Sequence, residues 1–72
     1  MMGELSPQLK AGNALRRLIA ENYPSQEEFA DKYGADIRTI SRYINNGINK
    51  IDIIQELAEH FDVPFEYFFQ DN

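Results

Sequence analysis

Helix-breaking residues divide this sequence into short segments, and that division restricts its fold more than any other feature. Pro24, Gly34, Gly47 and Pro64 each stand between stretches of helical periodicity. Within these stretches apolar residues recur at steps of three and four, and no segment shows the apolar–polar alternation of a half-buried strand. The sequence therefore predicts an all-α fold built from short helices.

Capping residues mark the starts of the first three predicted helices. Ser6 precedes Pro7, and proline is favoured at the first helical position because its missing N–H needs no partner there. Ser25 and Glu28 have the spacing of a capping box, in which the serine hydroxyl accepts a hydrogen bond from the N–H three residues later. Asp36 can cap a third helix after a tight turn.

Two further helices complete a predicted five-helix core. The fourth helix is expected to bury Ile51, Ile54, Leu57, Ala58 and Phe61, and a short fifth helix follows Pro64. The predicted core consists of Leu18, Phe29, Ile40, Ile54, Leu57 and Phe61, with small Ala30 at a close crossing of the second and third helices.

Length and composition limit the class of protein. The 72 residues are expected to form one domain over residues 1–72, with flexible ends at residues 1–6 and 70–72. One histidine and no cysteine argue against a metal site or a nucleophilic catalytic site. No apolar run approaches the roughly 20 residues of a membrane span. We therefore expect a soluble, cytoplasmic protein that is not an enzyme and binds no metal, membrane or small-molecule cofactor.

The charge of the chain is unevenly distributed. Residues 1–50 contain all seven basic side chains against six acidic ones, which leaves +1, whereas residues 51–72 contain six acidic side chains and neither lysine nor arginine, which leaves −6. Any cationic surface must therefore lie within the first 50 residues. The net charge of −5 is unusual for a protein that binds nucleic acid.

The segment from about residue 25 to 45 has the pattern of a helix-turn-helix unit, two short helices joined by a tight turn. The stretches 25–30 (SQEEFA), 34–36 (GAD), 39–43 (TISRY), 57–58 (LA) and 61–63 (FDV) resemble the lambda-repressor-like, or Cro/C1-type, family of DNA-binding domains. The resemblance extends over about residues 9–69. It implies a compact five-helix fold whose third helix enters the DNA major groove.

The resemblance also implies a role for individual residues. The base-reading positions are Ile37, Arg38, Ser41 and Arg42. The positions beside the DNA backbone are Gln26, Thr39, Asn45, Asn46 and Lys50, together with Arg16 or Arg17 from the first helix. Arginine suits base reading because its planar guanidinium can donate two hydrogen bonds to guanine. The implied protein is a repressor-like transcriptional regulator that binds a double-stranded DNA operator as a homodimer.

Other interpretations of the same residues remain open. Arg38 and Arg42, four residues apart, also fit a solvated helix face, and His60 is expected to interact with the end of the fourth helix. A short fifth helix cannot bury all four of Phe65, Tyr67, Phe68 and Phe69, so one or two exposed rings are expected to form a dimer or partner contact. The alternative function is an antitoxin- or antirepressor-like module that binds a protein instead of DNA, which the net negative charge favours.

Overall fold

Four α-helices and one short 3-10 helix make up the computed structural model, which describes residues 6–70. The α-helices are α1 (Pro7–Asn22), α2 (Gln26–Tyr33), α3 (Ile37–Asn46) and α4 (Ile51–Phe61), and the 3-10 helix spans Phe65–Phe69. The predicted all-α class is confirmed. Most of the chain ends that we expected to be flexible, residues 1–5 and 71–72, lie outside the described residues.

The prediction of five helices is wrong in its count, because the last element is not an α-helix. Its Tyr67 N–H donates to the Pro64 carbonyl at 3.0 Å, which is the three-residue step of a 3-10 helix. Both flanking residues, Pro64 and Gln70, have extended backbones. The five residues between them allow little more than one turn, and 3-10 geometry is common in such short elements.

The three predicted N-cap side chains accept hydrogen bonds at the helix starts as expected. The Ser6 and Ser25 hydroxyls accept from the N–H groups of Leu9 (3.3 Å) and Glu28 (3.1 Å), and the Asp36 carboxylate accepts from the Arg38 N–H at 2.8 Å. Each of these bonds satisfies a backbone donor that the first turn of a helix leaves without an intrahelical partner. The helix starts are thus fixed by local sequence.

The predicted core is largely confirmed. Buried as expected are Leu18, Phe29, Ala30, Ile40, Ile54, Leu57 and Ala58, whereas Phe61 is only half-buried against this core. Ile51 is 60% exposed, which corrects our prediction for the fourth helix. It lies in the first turn of α4, about 70° around the helix from the middle of the buried stripe, at 100° per residue. Ile48, in the loop before α4, is only 2% exposed and joins the core from outside any helix.

Gly12 allows α1 to lie directly against the end of α3. A Cβ atom at Gly12 would overlap the carbonyl oxygen of Tyr43 and lie 3.1 Å from that of Ile44. The contact continues into the loop, where the Ile48 N–H donates to the Gln8 carbonyl at 3.0 Å. Backbone therefore meets backbone at this crossing, and only a residue without a side chain fits there.

We expect Ile40→Ala to lower the free energy of unfolding by about 2–5 kcal/mol, because it removes a fully buried side chain and leaves a cavity. The matched control is Ile51→Ala, which truncates an exposed isoleucine and should change stability by no more than about 0.5 kcal/mol. Urea unfolding followed by circular dichroism measures both. Equal stability of the two variants would contradict the placement of Ile40 in the core.

Gly12→Ala tests the crossing of α1 and α3 by the sign of its effect. Helix propensity alone predicts that alanine stabilises a helix interior by about 1 kcal/mol relative to glycine. We expect a loss of about 1–3 kcal/mol instead, since the added methyl group would push the Tyr43 carbonyl away. The same unfolding measurement applies, and a gain in stability would show that the two helices are not in close contact.

Candidate nucleic-acid interface

The turn between α2 and α3 is held by backbone hydrogen bonds. The N–H groups of Gly34 and Ala35 both donate to the Ala30 carbonyl at 2.9 Å, and Gly34 adopts the left-handed conformation with φ 86°. Asp36 then caps α3 at once. The predicted helix-turn-helix unit is therefore present, with α2 and α3 joined by three residues.

The two faces of α3 differ in polarity and in exposure. Ile40 and Ile44 are buried against the other helices, whereas Arg38, Arg42 and Asn45 are exposed. Ser41 and Thr39 are half-buried at the edges of the outer face, and Ile37 is 36% exposed at the start of the helix. The outer face of α3 consequently presents two guanidinium groups one helical turn apart.

Arg38 occupies a position that helix stability alone does not favour. A cation in the first turn of a helix lies near the positive end of the helix dipole. The Asp36 carboxylate, which accepts from the Arg38 N–H, places a compensating negative charge at the same helix end. The helix end therefore tolerates a cation at position 38 but does not require one.

Gln26 and Arg16 lie together in one concave patch. Both line the depression between the second half of α1 and the start of α2, together with Tyr23, Pro24 and Ser25. Arg17 points elsewhere: its guanidinium carbon lies 5.7 Å from the centroid of the Tyr67 ring, and its Nη2 atom is buried. Of the two arginines expected beside the DNA backbone from α1, the structure brings only Arg16 next to Gln26.

Two grooves flank α3, and they differ in charge. The groove toward α2 is lined by Ile37 and three acidic residues, Glu27, Glu28 and Asp31. The groove toward the start of α1 is lined by Arg42 and Asn46, and also by Ser6, Gln8 and Asn49, which our sequence analysis did not place at the DNA interface. Gln8 is distant in sequence from the helix-turn-helix unit, so no local motif could have linked it to Arg42.

The four aromatic residues of the 3-10 helix are more buried than we predicted. Phe68 is completely buried, and Phe65, Tyr67 and Phe69 are half-buried against the core. The expectation of one or two exposed rings is therefore wrong. The element lies against both α1 and α4, so its rings are covered from two directions. Phe65 and Phe69 contact each other with their ring centroids 5.2 Å apart and keep part of their surface accessible.

His60 belongs to an aromatic cluster on the side of α4. Its Nε2 atom is hydrogen-bonded to the Tyr23 hydroxyl at 2.8 Å, and its ring lies edge-on to those of Phe29, Tyr33 and Phe61. The Tyr33 hydroxyl donates to the carboxylate of Glu56 at 3.4 Å. Burial and the negative charge of Glu56 raise the pKa of Tyr33 to about 12. These contacts give His60 a packing role, and His60 also lies in the last turn of α4, where we expected it.

The described residues also bear on two other functional classes, metal-binding and membrane-spanning proteins. Among residues 6–70, no group of histidine, aspartate or glutamate side chains is arranged to hold a metal ion. No helix within the same range is long and apolar enough to cross a membrane.

Comparison with known families indicates a helix-turn-helix protein, the same class of protein that the fold and the outer face of α3 indicate. The family model described as Helix-turn-helix (HTH_3, the Cro/C1 type) matches residues 15–68, which is 54 of the 72 residues. The chain belongs to this helix-turn-helix family, a family of DNA-binding regulatory domains that are not typically enzymes. Searches of curated proteins and of solved structures gave no match.

Proposed function

We propose that this protein is a sequence-specific, repressor-like transcriptional regulator that reads the major groove of operator DNA with α3. The observation that carries the proposal is the polarity of α3. Ile40 and Ile44 fix the helix to the core, while Arg38 and Arg42 remain exposed on its outer face. The mechanism is occupation of a DNA site, and we propose that it takes place in the cytoplasm through a single domain over residues 1–72.

In this proposal the first turn of α3 reads base edges. The N-terminal residues of a recognition helix lie deepest in the groove, so Arg38 is placed to donate two hydrogen bonds to guanine O6 and N7. Ile37 has an accessible apolar surface that suits the methyl group of thymine. Ser41, one helical turn after Ile37, supplies a short hydroxyl group to the same surface.

Contacts with the DNA backbone fix the position of that helix. Gln26 and Arg16 share one concave patch and would hold one phosphate together. Thr39, Asn45, Asn46 and Lys50 are proposed to lie beside the backbone along α3 and the loop after it. The acidic side chains of α4 and of the 3-10 helix would face away from DNA, because phosphates would repel them.

We expect Arg38→Ala to reduce the preference for the cognate site by about 1–3 kcal/mol, the usual contribution of a bidentate arginine–guanine pair. Gln26→Ala should weaken binding to all sequences alike, since a phosphate contact carries no base information. The measurement is fluorescence anisotropy with a duplex that the unmodified protein selects from a random library and with a scrambled duplex of equal composition.

Matched controls separate these effects from a general loss of charge. Lys32→Ala removes an exposed cation from α2, and Gln55→Ala truncates an exposed glutamine on α4, both outside the proposed interface. If Arg38→Ala retains the preference of the unmodified protein, α3 does not read the groove. If the unmodified protein binds no duplex even at low salt, the protein-binding alternative is the better one, and the charge of residues 51–72 supports it.

We further propose that the protein binds its operator as a homodimer. One recognition helix reads only a few base pairs, and two copies about 34 Å apart fit successive turns of the major groove. The accessible parts of Phe65, Tyr67 and Phe69 form the candidate two-fold contact, since aromatic rings are enriched at such interfaces. Acidic groups near this surface, such as Glu66, would have to be arranged around the contact and not across it.

We expect Phe69→Lys to shift the protein toward monomer, because a two-fold contact would bring two added cations together. The control is Ile51→Lys, which makes the same change in charge at a more exposed isoleucine. Sedimentation velocity at high micromolar concentration, with and without DNA, gives the oligomeric state, and thermal melting verifies that both variants fold. A monomer under both conditions for the unmodified protein would contradict the dimer.

A further inference from the structure

The groove between the start of α1 and the end of α3 has the chemistry of an anion site. Among the described residues that line it, Arg42 alone carries a charge, and Ser6, Gln8, Asn46 and Asn49 add hydrogen-bonding groups beside Leu9, Tyr43 and Gly47. The groove on the α2 side of α3 is lined instead by Glu27, Glu28 and Asp31. Of these two grooves, only the one toward α1 has a cation among its described lining residues.

The walls of this groove are fixed relative to each other. The Ile48 N–H donates to the Gln8 carbonyl, which ties the loop after α3 to the first turn of α1. A Cβ atom at Gly47 would lie 2.8 Å from that same carbonyl, so the two backbone segments are in direct contact. The backbones of Gln8 and Asn49 are consequently held at the groove, so that binding there needs no rearrangement of the fold.

The groove also continues the proposed reading surface. Arg38, Arg42 and Asn46 follow one another at steps of four residues along α3, about 6 Å each at 1.5 Å per residue. Arg42 and Asn46 line the groove, whereas Arg38 does not. The first turn of α3 would thus meet bases while its last two turns lie beside the groove, where the backbone of the same DNA passes.

We propose that this groove binds a DNA backbone phosphate, with Arg42 as its cation and with Gln8 and Asn49 as neutral hydrogen-bond donors. The inference rests on the proposed function and assigns Arg42 to the backbone instead of to a base. It also makes α1 a part of the interface at Gln8, outside the helix-turn-helix unit. Sequence preference then depends on Ile37, Arg38 and Ser41, and Arg42 contributes affinity to every sequence alike.

The first test changes the charge at Gln8. We expect Gln8→Glu to weaken binding to the selected and the scrambled duplex by the same factor, at least about threefold. This is roughly the affinity that one phosphate contact loses when the salt concentration rises from 50 to 200 mM. Gln8→Lys should strengthen both and steepen the salt dependence by about one unit of slope. Glutamate is well tolerated at the second position of a helix, so the fold should persist.

The matched controls are Gln55→Glu and Gln55→Lys, which make the same changes in net charge at an exposed glutamine of α4. Equal effects at Gln8 and Gln55 would overturn the inference, because the affinity for DNA would then depend only on the net charge of the protein. The comparison of Arg38→Ala with Lys32→Ala still tests the proposed function by itself. If the unmodified protein binds neither duplex, both the proposed function and the inference about the groove are wrong.

The second test replaces each guanidinium with an ammonium group. A phosphate accepts either cation, whereas bidentate recognition of guanine requires the planar fork of arginine. We expect Arg42→Lys to retain both affinity and preference within about threefold, and Arg38→Lys to lose preference. Loss of preference in Arg42→Lys would show that Arg42 reads a base, and the inference would be wrong even with the proposed function intact.

Discussion

The contact between α1 and α3 at Gly12 is the constraint on which the rest of this structure depends. It brings the backbone of one helix against the carbonyl groups of Tyr43 and Ile44, and it leaves no space for a side chain. Because α3 is held there from behind, its opposite face is free of the core. The same contact places Gln8 beside Arg42 and so creates the groove at the end of α3.

Local hydrogen bonds set the ends of the helices at the interface, and tertiary packing sets their rotation. Ser25 determines where α2 begins, Gly34 where it ends and Asp36 where α3 begins, through caps that involve only neighbours in the sequence. Ile40, completely buried, then fixes the rotation of α3 about its own axis. The start of α3 and its rotation together determine that Arg38 lies on the exposed face.

Positive and negative charges are separated along the chain. Cations lie only in the first 50 residues, and an excess of six acidic groups lies after them. Around α3 the same separation recurs on a smaller scale, with an acidic groove toward α2 and a groove containing Arg42 toward α1. A polyanion can therefore approach this acidic protein in only a few orientations, which favours selectivity over general affinity.

The sequence by itself determined the helix class, the three capped helix starts, most of the core and the family, because caps and periodicity act between residues a few positions apart. It gave no signal for the burial of Ile48, the exposure of Ile51 or the direction of Arg17 toward Tyr67. Nor could it show that Gln8 meets the end of α3. Only the tertiary structure decided these features, because each depends on how closely two distant backbone segments approach, and that distance is set by packing and not by local pattern.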